Sequence, residues 1–342
     1  MGERDLKPPA TQRVPLTAPR STPNHPSGLP PQNPSPLRYP DAMTPRPTKR
    51  REFLATTGLA AAALVGATPA SAQDPAPAPK SPPKKGLRTI TYNVLACRGY
   101  NGGKAGNAAA VKRMAPQIPA RIALELALHK PDIVTFQESP REPVVADIAQ
   151  QMGMHYAYFP GGFPGTVMSR FPIVESVNCP LAEGERPSDL FTRHWGKAVL
   201  RLDGGDLAVY TAHLFPGVDG HERRLREVPL MLAAMQEDID SGRPLILQGD
   251  LNHTPAAAEY QSWVDAGLRD CFQDKGTGRD LTIPSTTPRT RIDYIWTHGS
   301  MPTGLQECRV LFEGAFRTNP EDGTSVALSD HIPVLAVFED PK

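Results

Sequence analysis

The sequence is poor in aromatic residues, at 6% of 342 positions, and has four cysteines. It has no repeat at a fixed period, which excludes solenoids and propellers. The apolar stretch from Phe53 to Val65 is too short and too rich in Ala to cross a bilayer as a mature helix, so no stable membrane span is expected. An excess of positive charge is also missing. Of 37 Lys and Arg and 36 Asp and Glu, 9 and 4 lie in residues 1–72, so the remainder carries 28 against 32, a net −4. Domains that grip long nucleic acid usually show the opposite sign. Nucleic acid is therefore a disfavoured partner, although a local basic patch is compatible with these numbers.

Proline is plentiful, with 39 residues unevenly spread. Residues 1–49 are rich in Pro, Thr, Arg and Asn and lack apolar periodicity. Such a segment cannot bury enough surface to offset its ordering entropy, so residues 1–42 are expected to be disordered. The stretch TKRREFLATTGLAAAALVGATPASAQDP, residues 48–75, opens on Lys49, Arg50 and Arg51 and runs through apolar and small residues to Ala70-Ser71-Ala72. That order marks an export signal with an A-x-A cleavage site. Arg50-Arg51-Glu52-Phe53-Leu54 resembles the twin-arginine address. The signal has normal proportions from Met43, so translation is expected to start there, with residues 43–72 as the signal peptide. The twin-arginine export machinery is then a partner, and the destination is the periplasm, the cell surface or the medium. Residues 73–86 read as a Pro-rich, semi-rigid linker. Residues 87–340 remain as one domain by size, expected to be monomeric. Cys97, Cys179, Cys271 and Cys308 fit no zinc spacing. In an exported protein they allow three full disulfide pairings, but a domain of this size does not need staples, and free buried thiols fit equally well.

The domain alternates strand-like and helix-like stretches. Strands are expected at 87–95, 131–138, 165–177 (broken at Pro172), 244–250, 291–298, 307–314 and 332–339, with a hairpin around Asp203-Gly204-Gly205. Helices are expected at 118–130, with Ile122, Leu124, Leu126 and Leu128 as apolar positions, and at 221–239, with Leu225, Leu232 and Met235 and a kink at Pro229. Tyr156, Tyr158 and Phe159 read as core. Arg193, His194 and Trp195 open a strand and either reach substrate or, as the favoured reading, form the surface of an edge strand. The Gly-rich stretch 97–107 is either a substrate lid or a plain loop. Mixed hairpin and crossover links imply an α/β sandwich with mixed sheets.

Asn93, Glu138, His213, Asp250 and Asn252 stand at the ends of apolar strands. Asp330 and His331 precede one, and Asp293 sits inside another. One polar strand end is a turn; this many, rich in Asp, Asn, Glu and His, point to one pocket. His253 follows Asn252 but would face the opposite side of an extended backbone, as a supporting or surface residue.

The blocks TYNVL, DIVTFQE, MSRFPI, YTAHL, LQGDLNHTP, RIDYIW and LSDHIPV resemble, in order, those of the endonuclease/exonuclease/phosphatase superfamily, over about residues 88–338. That resemblance implies a four-layer α/β sandwich, with two mixed β-sheets packed face to face and helices outside. It implies a Mg²⁺-dependent phosphoesterase, with Mn²⁺ as a substitute. Glu138 resembles the metal carboxylate; Asn93 would orient it or a metal water, and Asp330 would be a further metal or water-orienting carboxylate. Asp250 would orient or deprotonate the attacking water, and Asn252 would bind a phosphate oxygen or the metal. His331, oriented by Asp293, would act as base or charge stabiliser, and His213 would face the leaving group. The residue types make chemical sense: phosphoester hydrolysis needs a hard cation, a deprotonated water and help for the leaving oxygen.

Two other readings fit the sequence less well. A calcineurin-like metallophosphatase needs an early Asp-x-His, which the first strand lacks. A non-catalytic binding module on the same fold would have lost site residues, and none of the main matched positions is substituted. Among phosphoesters, a small monoester or diester outside the cytoplasm fits the charge best, with extracellular nucleic acid as the alternative.

Overall fold

The computed structural model describes residues 86–102, 108–317 and 325–339. The expectations for residues 1–42 and 43–72, and for all of the linker except Gly86, lie outside the described residues, as does part of the Gly-rich stretch.

Strands β1 (Leu87–Asn93), β2 (Ile133–Gln137), β3 (His155–Phe159), β4 (Gly165–Ser169), β10 (Gly276–Thr277), β12 (Leu305–Val310) and β13 (Val334–Phe338) form one sheet, in the order β10-β12-β13-β1-β2-β4-β3. Strands β5 (Ile173–Asn178), β6 (Trp195–Leu202), β7 (Gly205–His213), β8 (Leu245–Asp250), β9 (Arg269–Asp270) and β11 (Asp293–His298) form the other, in the order β5-β6-β7-β8-β11-β9. Both sheets are mixed. β1 and β2 run parallel in the first, and β7 and β8 in the second, beside antiparallel neighbours. The break at Pro172 therefore does more than end a strand: it carries the chain from one sheet to the other.

The sheets pack face to face. On the facing surfaces Leu200, Val209, Ile246 and Ile295 of one sheet share a cluster with Val167, Val334 and Ala336 of the other. Helices α2 (Ile118–Leu128) and α3 (Glu142–Met152) cover the first sheet with Ile118, Ile122, Leu126, Ile148 and Met152. Helices α4 (His221–Asp240) and α5 (Ala258–Asp265) cover the second with Val228, Met231, Met235 and Trp263, packed on Tyr210, Leu247 and Trp296. Helix α1 (Ala108–Met114) and the short α6 (Cys271–Lys275) complete the set. This is the expected α/β sandwich. All four cysteines are free, three of them buried.

Several residue-level expectations change. Leu124 and Leu128 point outward because the 118/122/126 face of α2 is the one that packs. Leu225 is likewise exposed, and α4 buries Arg224, Glu227, Val228, Met231, Met235 and Asp238 instead. Pro229 lies within α4 on its exposed side, where the carbonyl it leaves unbonded meets water. Tyr156 is exposed on the edge strand β3, and only Phe159 of the expected aromatic trio is fully buried. β6 is not an edge strand: it lies between β5 and β7, with Trp195 and His194 buried.

Candidate active site

Register decides which strand ends meet. β7, β8 and β11 lie side by side, with His213 opposite Asp250 and Asp250 opposite Asp293. In the other sheet Asn93 lies opposite Gln137, so Asn93 and Glu138 leave their strands at one level. His331 comes from the turn before β13, which pairs with β1. Parallel strands carry their carboxyl ends to the same rim, and there the two sheets face each other.

The side chains meet at Asp250. Asn93 Nδ2 donates to Asp250 Oδ2 at 3.0 Å and approaches Glu138 Oε1 at 3.5 Å. His213 Nε2 lies 3.4 Å and His331 Nε2 3.6 Å from the same Asp250 oxygen. On its other side His331 Nδ1 bonds Asp293 Oδ2 at 2.9 Å. Asn93, His213, Asp250, Asp293 and His331 are all buried. Burial alone would lower the His331 pKa, but Asp293 and Asp250 outweigh it and push it up to about 10. His331 is thus an imidazolium in neutral solution. Burial, together with Asp293 and Glu138, raises the Asp250 carboxyl against the pull of His331 and Asn93. His213 moves the other way: burial first, then Arg193, His194 and His331, hold it well below its ordinary value. Two histidines at one carboxylate therefore carry different charges.

The backbone here is strained. Glu138 has φ +48°, and Leu95, Ala96 and Cys97 lie consecutively at φ +49° to +56°. A left-handed L-residue costs about 1–2 kcal/mol, and such conformations gather at functional sites. The strained segments lock each other, since Ala96 N donates to Glu138 O at 2.7 Å and Val94 N to Gln137 O at 2.9 Å. The turn at Glu138 takes its side chain out of strand alternation toward Asn93.

Arg193, read either as substrate-reaching or as edge-strand surface, belongs to the site. Its Nη1 donates to His213 Nε2 at 2.9 Å and lies 3.7 Å from Glu138 Oε1, while its guanidinium stacks 4.0 Å over Phe163. An arginine can only donate, so His213 Nε2 must offer a lone pair, in agreement with a neutral ring. Next to it Gly165 leaves room for the buried His194; a Cβ there would stand 2.0 Å from the ring. No sequence pattern marks Arg193: it precedes its strand without an apolar run of its own.

A model of the Endonuclease/Exonuclease/phosphatase family matches residues 90–331, most of the chain. The chain belongs to this family. YbhP of Escherichia coli K12 is 29% identical over 171 residues, 46% of this chain, and the chain spans 64% of that relative's length. Among solved structures, a mannosyl-6-phosphatase of Bacteroides thetaiotaomicron superposes with a TM-score of 0.58 at 21% identity, over 73% of this chain and 98% of that one. A humanized TDP2 of Danio rerio superposes with a TM-score of 0.54 at 19% identity, over 74% and 98%. At these identities the likeness is one of fold.

Family members are metal-dependent hydrolases of phosphoester bonds, and the residues present can be tested against a hard cation. Atoms of Asp250, Asp293 and His331 lie within 4.8 Å of one another. There, however, His331 already balances both carboxylates with its own positive charge. Glu138 differs: among the described residues its polar contacts are the longer ones to Asn93 at 3.5 Å and Arg193 at 3.7 Å, and its side chain is 19% exposed. A carboxylate with only long contacts, reachable by water, suits Mg²⁺, which takes few protein ligands and keeps its waters. Leu95 N donates to Asn93 Oδ1 at 3.1 Å, so the amide nitrogen is what faces Glu138 and Asp250; Asn93 orients carboxylates. Asp330 is half-buried beside Ser329, and its carbonyl accepts from Ser285 N. Among the described residues no hydrogen bond or ion pair joins it to Glu138. Asn252 Nδ2 donates to Leu214 O at 2.9 Å and its backbone N to Asp250 Oδ1 at 3.2 Å, so its amide nitrogen is committed to the scaffold. His253 is buried away from the site, stacked 4.9 Å from Tyr294 and accepting from Trp263 Nε1.

Proposed function

We propose that the protein is an exported, Mg²⁺-dependent phosphoesterase that hydrolyses a small phosphomonoester or phosphodiester, with Mn²⁺ able to substitute. The observation that carries this is the meeting at one buried carboxylate, Asp250, of a cationic histidine, a neutral histidine and an amide that also reaches Glu138. A cation at Glu138 would supply positive charge to the phosphoryl oxygens. Asp250, made more basic by burial, takes a proton from the attacking water as its oxygen bonds phosphorus. His331, held cationic by Asp293, donates from Nε2 to the charge that builds on the phosphoryl group. Arg193 and His213 face the departing oxygen, which leaves with the P–O electron pair, is stabilised by the guanidinium and takes its proton from solvent. Likeness to a mannosyl-6-phosphatase supports a small monoester, and the net negative charge outside residues 1–72 weighs against long nucleic acid. Export rests on the signal read at residues 43–72.

The test is turnover of p-nitrophenyl phosphate, bis(p-nitrophenyl) phosphate and plasmid DNA by purified protein, with Mg²⁺ and with EDTA, beside a His331→Ala control. Mg²⁺-dependent cleavage of a small ester, lost in the control, is expected. Nicking of plasmid alone points to an extracellular endonuclease; well-folded protein inert toward all three points to a binding module.

A further inference from the structure

The two halves of the site stand on different sheets. Asn93 and Glu138 belong to one, and His213, Asp250 and Asp293 to the other. Apolar packing between sheets has no direction and allows sliding, whereas this chemistry needs its groups held within about 0.5 Å. Directly behind the site the facing surfaces change character. Thr89, Thr91, Thr135, Gln137, Thr211 and Gln248 are each 0% exposed. Polar groups buried there are costly unless bonded, and these are bonded across the gap. Thr89 Oγ1 donates to Gln248 Oε1 at 2.8 Å, and Gln248 Nε2 to Ile90 O at 3.3 Å. Gln137 Nε2 reaches Thr211 Oγ1 at 3.4 Å, while its Oε1 accepts from Thr91 at 3.2 Å. The placement follows strand alternation: Thr91 is two residues before Asn93, Thr211 two before His213 and Gln248 two before Asp250, so each lies on the same strand face as a site residue. With Asn93–Asp250 as the uppermost, these are three rungs from one sheet to the other.

We infer that Gln137 and Gln248 are positioning residues, whose cross-sheet hydrogen bonds set the separation between the Glu138 half of the site and the His213–Asp250 half. The inference rests on the phosphoesterase reading. It explains why amides and hydroxyls, rather than aliphatic groups, occupy these inner positions: a directional bond fixes a distance, and an aliphatic contact does not.

The test compares the full chain with Thr89→Val/Gln248→Met, which replaces both partners of one rung by apolar groups of similar shape and leaves neither side chain unpartnered. Steady-state turnover of p-nitrophenyl phosphate and bis(p-nitrophenyl) phosphate with Mg²⁺ is read together with the melting temperature. A misplacement of about 1 Å can cost about 10²-fold, so kcat is expected to fall roughly 10- to 100-fold, with KM and melting temperature little changed. Thr89→Ser, which keeps the hydroxyl, is expected to retain kcat. A folded double variant with wild-type kcat overturns the inference, as does a loss of kcat that only follows loss of melting temperature. If the double variant does not fold, Gln137→Met is read by the same criteria. A folded wild type that turns over no phosphoester sinks the phosphoesterase reading and the inference with it, a result distinct from an active wild type matched by its variant.

Discussion

The amide nitrogen of Asn93 lies 3.0 Å from a carboxylate oxygen of Asp250, and the two residues end strands of different sheets. The bond joins the layers at the level of the site. It also ranks the carboxylates: Asp250 is enclosed by donors, and Glu138 keeps only the longer contacts to Asn93 and Arg193.

Removal of the central pair should be the most damaging change. His331→Ala and Asp250→Ala are each expected to lower kcat by several orders of magnitude, since groups acting as a unit lose most of their effect together. The double variant should be little worse than either single one. Steady-state kinetics on the preferred ester checks both points, and wild-type rates in either single variant contradict the mechanism.

Arg193 should matter through its guanidinium and not charge alone. Arg193→Gln is expected to lower kcat/KM by about 10²-fold, near the loss typical for one donor to developing charge. Arg193→Lys should recover part of it, because an ammonium keeps the charge but lacks the planar donor fork. The comparison of the three proteins under one assay decides this.

Metal binding should depend on Glu138. A cation that binds only the folded protein raises its melting temperature, so Mg²⁺ should stabilise the wild type and EDTA should reverse it. Glu138→Gln, which keeps size and removes charge, should abolish the shift while leaving the metal-free melting temperature nearly unchanged. Thermal unfolding with and without Mg²⁺ reads this directly.

His253 should make the fold acid-sensitive. Burial holds its pKa down to about 4 against an ordinary 6.5. Between those values the unfolded chain binds a proton that the folded chain refuses. Its stabilising contribution is therefore complete above about pH 6.5 and is lost as pH falls toward 4, by about 1.4 kcal/mol per unit and about 3 kcal/mol in all. Denaturant unfolding across this range should show a steeper pH slope for wild type than for His253→Phe, whatever their absolute stabilities.

Export can be tested separately. Expressed from Met43, the protein should be recovered outside the cytoplasm with Gln73 as its first residue, and Arg50→Lys/Arg51→Lys should keep it inside. N-terminal sequencing of the fractions answers both.

Much of the site was legible because each block is local. Apolar runs that end in Asn93, Glu138, His213 or Asp250 show themselves within a few residues, and so does the break at Pro172. Arg193 was legible only as one of two readings, because it gains its role from His213 and Phe163, neither of which is near it in sequence. The orientation of Asn93 was not legible for a similar reason: which end of an amide faces a carboxylate depends on the Leu95 N–H that holds the other end.

The sequence by itself determined most of the strands, though not β3, β9 or β10, and the residue types at their ends, since alternation and turn chemistry are short-range. Tertiary structure alone decided which ends meet, which histidine is charged, and that amides and hydroxyls bridge the sheets behind the site. Those outcomes depend on register and burial, which arise only when distant segments exclude water together.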